Sequence, residues 1–338
     1  QGPDAMNQYF LHMTASQQVG ALFILVFGVL LIASITVFSL SIREFSEGDP
    51  VGEARQKALK EYNSVLNASW VMMVVFWVAW AAGDTVATVL FGLVAFFALR
   101  EFITLSPTRR GDHRSLVLAF FVVLPVQFAL VAWRQFDLFT VFIPVYVFLL
   151  IPVVSALADD PHRFLERNAK LQWGIMVCVY GISHVPALLL LEFPQREAFA
   201  GRSAFLVFFL VLSVQICMVV QHFAAIQLKA APTAPNISKS FSWRAWLSGV
   251  LASGILGGLF AGITPFAPGQ AMAMALIACA AGSLGHLVMK ALKRDRGVTN
   301  WGSEGKSVTG AGGLLDRVDA LCFAAPVFFH SVRWYFGL

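Results

Sequence analysis

Apolar runs long enough to cross a lipid bilayer recur along the whole of this chain. A membrane-spanning helix needs about 20 mostly apolar residues, and about ten segments approach that length. They cover residues 18–41, 67–82, 85–99, 115–132, 138–157, 172–193, 203–224, 246–266, 270–289 and 318–337. The sequence therefore predicts an all-α, polytopic integral membrane protein.

The composition supports a membrane protein and excludes several other classes. Of 338 residues, 58% are hydrophobic and 13% are charged, whereas soluble domains carry about 25% charged residues. The net charge of +5 is explained by basic loops on the cytoplasmic side of a membrane, so no nucleic-acid partner is predicted. The cysteines all lie in apolar stretches and are interpreted as buried hydrophobic residues. They are Cys178, Cys217, Cys279 and Cys322.

Basic residues alternate between rich and poor loops along the predicted spans. Loops rich in Lys and Arg face the cytoplasm, so the alternation places the N-terminus outside and the last loop at the cytoplasmic face. That loop carries Lys290, Lys293, Arg294, Arg296, Lys306 and Arg317. We predict a multi-pass protein of the inner (cytoplasmic) membrane with a polar site at its cytoplasmic face.

The last loop is a dense polar cluster beside a membrane segment, which by default suggests a functional site. Lys293 and Arg294 end an apolar run; they suit phosphate, or they simply extend to the interface as long basic side chains do. Gly310, Gly312 and Gly313 precede a helical pattern. Backbone N–H groups at such a position can bind phosphate, although glycines also form plain turns.

Asp316 and Asp319 are spaced so that they share one face of a helix. Their carboxylates can converge on one cation, or they can stabilise the positive end of the helix dipole. Two acids, several cations and a glycine turn at a lipid–water boundary together suit metal-assisted phosphoryl or nucleotidyl transfer to a lipid headgroup.

The same residues carry a resemblance to a known family. The runs 293–298 (KRDRGV), 312–319 (GGLLDRVD) and 325–329 (APVFF) resemble the C-terminal signature of the CDP-diacylglycerol synthases, or phosphatidate cytidylyltransferases. Upstream, Ile237-Ser238 and Ser242-Trp243 are similar to the family's I-S-P-x-K-T-W-E-G segment, and Gln221 to the amide of its D-x-x-Q-Y segment. Residues 98–102 (ALREF) are a weaker landmark.

The resemblance implies transfer of a cytidylyl group from CTP to phosphatidic acid, giving CDP-diacylglycerol and pyrophosphate with Mg²⁺ as cofactor. The implied catalytic residues are Lys293, Arg294, Asp316, Arg317 and Asp319, of which Asp316 and Asp319 would hold metal. The implied substrate-binding residues are Gln221, Ser238, Ser242, Lys290, Gly312 and Gly313. A homodimer is also implied.

With this resemblance, the chain divides into three parts. Residues 1–6 resemble the remnant of a cleavable tag. Residues 7–200 are predicted to form N-terminal transmembrane helices. Residues 201–338 are predicted to form a C-terminal cytidylyltransferase-like transmembrane domain.

The sequence departs from the family pattern at several expected acids. His286, Asn300 and Met218 stand where the pattern has carboxylates, and Lys290 stands where it has a serine. Mg²⁺ prefers oxygen ligands, whereas a histidine nitrogen suits other metals. His286 and Asn300 are therefore only further candidate ligands, and a polar network between His286 and His222 is predicted.

Three functions are consistent with the chain at this stage. The first is an active cytidylyltransferase. The second is a catalytically degenerate relative that binds phospholipid or a partner lipid enzyme without turnover. The third is a transporter, which is disfavoured because the sequence lacks the repeats and broken helices typical of that class.

Overall fold

Helices account for 82% of the residues that the computed structural model describes. The structure describes residues 14–41, 59, 63, 66, 70, 73–105, 108–194, 196, 199–229, 231–238, 241–298, 300–301 and 313–338. No strand occurs within these ranges, which agrees with the predicted all-α class.

Nine long helices are described in these ranges. They are α1 (Ala15–Ser41), α2 (Asp84–Thr104), α3 (Arg110–Ala132), α4 (Phe136–Ala156), α5 (Phe164–Leu189), α6 (Ala204–Leu228), α7 (Trp243–Ile263), α8 (Pro268–Asp295) and α9 (Leu315–Phe336). Residues 73–81 are also helical. Short π-helical segments interrupt α3, α4 and α5 at Ala119–Val123, Phe142–Val147 and Ile175–Gly181.

Eight of these helices, α1 to α8, are long and apolar enough to cross a membrane in the described part of the chain. The protein is therefore a multi-pass membrane protein, as predicted. Helix α9 has 22 residues but is not among the eight, because charged and polar residues at both of its ends lower its hydropathy. The predicted span 67–82 lies partly outside the described residues.

The chain forms two compact units, Gln1–Gly83 and Asp84–Leu338. In the first unit, the indole of Trp70 donates a hydrogen bond to the hydroxyl of Ser34 at 3.0 Å, and its ring meets Phe27 edge to face. The second unit contains α2 to α9 and all of the described candidate site residues. The predicted domain boundary after residue 200 remains a prediction.

Helices α6 to α9 pack in sequence, each against the next. Small residues let the backbones approach closely, as is typical of membrane helices. A Cβ at Gly249 of α7 would lie 2.6 Å from the Cys217 carbonyl of α6, and one at Gly285 of α8 would overlap the Phe323 ring of α9. The close contact of α8 with α9 fixes the register of their polar residues.

A buried guanidinium ties the start of α5 to its neighbours. Arg167 lies 3.0 Å from a carboxylate oxygen of Asp112 and 2.6 Å from one of Asp160. The hydrogen bond from Arg167 lowers the pKa of the Asp160 carboxyl. This network anchors α5 near the loop that leads from α4.

The cysteines are free and buried, which confirms that they serve as small apolar residues in the described structure.

Candidate active site

The end of α8 and the beginning of α9 bring a lysine and an aspartate together. The Lys293 ammonium lies 2.6 Å from Oδ1 of Asp316, and both side chains are largely buried. The backbone N–H of Trp301 donates to the other oxygen, Oδ2, at 2.7 Å. Asp316 therefore holds Lys293 in one place and ties the segment after α8 to α9.

A second pair lies further along the same two helices. Nδ1 of His286 is 2.7 Å from Oδ2 of Asp319, and Oδ1 of Asp319 accepts a hydrogen bond from the Ala320 N–H at 2.6 Å. Asp319 is buried, whereas 22% of the His286 side chain is exposed. The aspartate thus fixes the orientation of a partly accessible imidazole.

A third carboxylate, Glu101 of α2, binds the beginning of α9. Its two oxygens accept hydrogen bonds from the N–H groups of Leu314 and Leu315, each at 2.9 Å. Glu101 is only 3% exposed. These N–H groups follow the glycine turn that was predicted from the sequence to bind a substrate phosphate. The Glu101 carboxylate therefore already occupies part of that predicted anion site.

Gly313 lies where this carboxylate meets the segment after α8. A Cβ at this position would be 2.6 Å from Cβ of Trp301 and 2.7 Å from Oε2 of Glu101, so only glycine fits. Trp301 is 1% exposed and stacks on Phe102, with ring centroids 5.6 Å apart. The end of α2 thus supports both the start of α9 and the residue that binds Asp316.

The other predicted catalytic and metal-binding residues lie outside these pairs. Arg294 and Asn300 are exposed, and Arg317 is half-buried in the first turn of α9. Lys290 is half-buried on α8, and no ion pair joins it to another described residue. Among the described cations, Lys293 rather than Lys290 is the partner of a site aspartate.

The predicted substrate-binding residues upstream have local structural roles. The Ser242 hydroxyl caps α7 by accepting a hydrogen bond from the Ala245 N–H at 3.3 Å. Ser238 is buried in the tight turn before α7. Gln221 lies on α6, and its buried Oε1 has no hydrogen-bond partner among the described residues. Gly310 and Gly312 lie outside the described residues.

The predicted polar network between His222 and His286 does not form in the described structure. His222 is exposed on α6, whereas His286 is bonded to Asp319. The prediction is wrong because α8 turns His286 towards α9, where a carboxylate supplies a stronger hydrogen-bond acceptor than a second imidazole.

The donor set does not fit a resident Mg²⁺ ion. Both oxygens of Asp316 and both oxygens of Asp319 already accept hydrogen bonds, from Lys293, His286 and two backbone N–H groups. Among the described residues, no group of three or more His, Cys, Asp and Glu side chains is placed to hold a metal. Mg²⁺ requires near-octahedral oxygen ligands. Beside Asp316, the Lys293 ammonium, 2.6 Å from the carboxylate oxygen, occupies the position that a Mg²⁺ ion would need.

Sequence reasoning missed Glu101, Phe102 and Trp301 as parts of the site. The predicted span ended at residue 99, whereas α2 continues to Thr104 and buries Glu101. The available signal was an acidic residue directly after an apolar run, which in a membrane protein points to a specific partner.

The fold and the site together define a multi-pass membrane protein with a polar centre of paired acids and bases between its last two helices. Comparison with known proteins specifies the class further. Residues 63–335 match the model of the Cytidylyltransferase family, and the chain belongs to this family. It is similar to "Uncharacterized protein YnbB" of Escherichia coli (strain K12), with 32% identity over 269 residues, which covers 78% of this chain and 85% of that protein.

Proposed function

We propose that the protein transfers a cytidylyl group from CTP to phosphatidic acid, releasing pyrophosphate and forming CDP-diacylglycerol for phospholipid biosynthesis. The observation that carries the proposal is the junction of α8 and α9, where Lys293–Asp316 and His286–Asp319 form side by side within the matched region. Because this polar centre lies between apolar helices, a lipid substrate from the membrane and a nucleotide from solvent can reach the same side chains.

The cations supply the charge that nucleotidyl transfer needs. Lys293 is held by Asp316 at the end of α8, and Arg317 follows Asp316 in the first turn of α9. Both suit the negative charge that develops on the phosphates in the transition state. Exposed Arg294 suits the distal phosphates of CTP as they arrive from solvent.

In this proposal, Mg²⁺ enters as part of the substrate, as the counter-ion of the CTP phosphates. Mg²⁺ commonly keeps several waters and binds through substrate phosphates. This role does not require a site of the protein's own, which the described side chains do not provide.

The site is proposed to face the cytoplasm, where CTP is made. Support comes from the basic residues around it, Lys290, Lys293, Arg294 and Arg296, because such residues concentrate on the cytoplasmic side of membrane proteins. The membrane is proposed to be the inner (cytoplasmic) membrane.

The test uses purified protein in nanodiscs with labelled CTP, Mg²⁺ and dioleoyl phosphatidate. Labelled CDP-diacylglycerol is expected from the wild type. Asp316→Asn and Asp319→Asn are expected to reduce the rate strongly, because each leaves a base without its charged partner. Asp295→Asn is the matched control, since Asp295 is exposed and pairs only with neighbouring Arg296 among the described residues. If the wild-type protein forms no product with Mg²⁺ or with any other divalent cation tested, the proposal is contradicted.

A specific observation also favours a second candidate, a lipid-binding protein without turnover. Lys293 and His286 each pair with one aspartate of the site, so both carboxylates are engaged within the protein. This candidate predicts that phosphatidate-containing vesicles bind the protein while CTP neither binds nor reacts. Equilibrium dialysis with labelled CTP separates it from the first candidate.

A further inference from the structure

We propose that His286 is a catalytic residue whose Nε2 takes the proton from the attacking oxygen of the acceptor, with Asp319 as the residue that positions it. The inference rests on the proposed cytidylyl transfer and deepens it, because it states which class of nucleophile the site activates. It also assigns a role to the His286–Asp319 pair, in which His286 stands where the pattern of the family that the sequence resembles has a metal-binding acid.

The geometry of the pair determines which ring nitrogen faces the substrate. An ionised carboxylate only accepts hydrogen bonds, so the contact of 2.7 Å between Oδ2 of Asp319 and Nδ1 of His286 puts the proton on Nδ1. In the neutral ring the lone pair is then on Nε2. No hydrogen bond joins Nε2 to any described residue, and the side chain is 22% exposed.

Further contacts within the protein hold the pair. Oδ1 of Asp319 is fixed by the Ala320 N–H, and the glycine before His286 allows Phe323 of α9 to pack directly on the α8 backbone. A base that is oriented by a buried carboxylate, with its second nitrogen accessible, is the arrangement that general-base catalysis requires.

Positive charge from α8 lies beside this base. His286, Lys290 and Lys293 follow one another at spacings of four and three residues, so they lie on one face of the helix. Lys290 forms no ion pair within the described part of the chain, which leaves its ammonium for phosphate oxygens. The two lysines of α8 therefore supply the charge that a resident metal ion would otherwise supply.

The proposed step exchanges one phosphorus–oxygen bond for another and moves one proton. The acceptor oxygen forms a bond to the α-phosphorus of CTP as its proton moves to Nε2 of His286. The bond between the α-phosphorus and the bridging oxygen breaks, and pyrophosphate leaves with that electron pair. His286 then returns the proton to solvent or to pyrophosphate.

A base is useful only if the attacking oxygen carries a proton. Two lipids offer such an oxygen: a phosphate monoester in its monoanionic form, and an alcohol. The shared chemistry is a protonated oxygen nucleophile, and two assay arms distinguish the sources, dioleoyl phosphatidate and dioleoylglycerol.

The experiment measures cytidylyl transfer in nanodiscs for the wild type, His286→Ala and His286→Asn. The asparagine keeps a hydrogen-bond donor for Asp319 but lacks a base. General-base catalysis contributes about 10²–10⁴-fold, so both variants are expected to lose about 100-fold or more in kcat with little change in KM for CTP. His222→Ala is the matched control, because His222 is exposed on α6.

Imidazole rescue separates a base from a structural histidine. Added imidazole is expected to restore part of the rate of His286→Ala, and less in the His286→Ala, Asp319→Asn double variant, which lacks the positioning carboxylate. A second readout needs no turnover: Mn²⁺ binding followed by electron paramagnetic resonance without nucleotide. Wild-type protein is expected to show no site, whereas His286→Asp gains one by placing a carboxylate beside Asp319.

The outcomes are distinguishable. Three results would each overturn this inference alone. The first is a wild-type rate in His286→Ala, and the second is a slow His286→Ala that imidazole fails to restore in both arms. The third is a Mn²⁺ site in the wild type that Asp319→Asn removes. No transfer by the wild type in either arm would overturn the proposed function, and this inference with it.

Discussion

Glu101 and Gly313 lie next to each other at the start of α9, where the Glu101 carboxylate leaves no room for a side chain at position 313. The Glu101 side chain comes from a helix more than two hundred positions earlier in the chain, yet both of its oxygens are used by two successive N–H groups. It has the position that a bound anion would have at a helix N-terminus.

Glu101→Gln is expected to destabilise the protein and reduce transfer. The amide keeps one acceptor oxygen but points an NH₂ group at the other backbone N–H, so one buried hydrogen bond is lost. Leaving a buried donor unsatisfied costs about 1–3 kcal/mol, measurable as a lower melting temperature in detergent. Glu166→Gln, on exposed Glu166 of α5, is the control and should change little. An unchanged melting temperature for Glu101→Gln would mean that α9 does not depend on this contact.

Gly313→Ala tests whether the close packing at the start of α9 matters when the charges of the site are left unchanged. The new methyl group would collide with Trp301 and Glu101, so the segment that binds Asp316 must shift. Overpacking costs about 1–3 kcal/mol of folding stability, and misplacing the segment that positions Asp316 is expected to lower transfer activity by at least about 10-fold. Gly269→Ala is the control, because a Cβ there meets nothing within 4 Å. Equal activity of both variants would contradict the described packing.

At the scale of elements, the junction of α8 and α9 depends on the Lys293–Asp316 pair. Removing one member of a buried pair costs about 3–5 kcal/mol, whereas removing both is often close to neutral. Lys293→Met is therefore expected to lower the melting temperature. Lys293→Met with Asp316→Leu is expected to recover only part of it and to stay inactive, because Asp316→Leu also removes the acceptor of the Trp301 N–H. Arg294→Met, at an exposed position, should leave stability unchanged. Additive losses in the double variant would mean that the two side chains do not interact.

The sequence predicted the elements better than it predicted their ends. The span predicted over 270–289 is the core of α8, but the helix continues to Asp295 and carries Lys290 and Lys293 inside it. Likewise α5 begins at Phe164 rather than near residue 172. Apolar runs mark where lipid surrounds a helix, and a helix continues beyond the lipid wherever its polar residues find partners. The π-helical segments gave no signal in hydropathy.

The site was predicted as a set of residues but not as a set of contacts. Lys293, Asp316 and Asp319 stood out because charge is rare in this chain. Their pairing depends on the register of α8 against α9, which Gly285 and Phe323 determine by packing. Glu101 could not be linked to α9 from the sequence, because the contact exists only once the whole second unit is folded.

At the scale of the whole molecule, the distribution of basic residues predicts which side of the membrane each loop occupies. Single cysteines placed at exposed His162 and Asp295 are expected to react with a membrane-impermeant maleimide only from the cytoplasmic side, and Gln135→Cys only from outside. Buried native cysteines make the wild type the unlabelled control. Labelling of Asp295→Cys in intact cells would reverse the proposed orientation.

The carboxylate of α2 that holds the first turn of α9 also bears on how the protein is made. Helix α2 is synthesised long before α9, and during that interval Glu101 is an acid without the N–H groups that later stabilise it. The polar centre therefore does not exist until α9 leaves the ribosome. A chain that stops short of α9 lacks both the Lys293–Asp316 and the His286–Asp319 pair, and its Glu101 has none of the N–H donors that Leu314 and Leu315 supply in the folded protein.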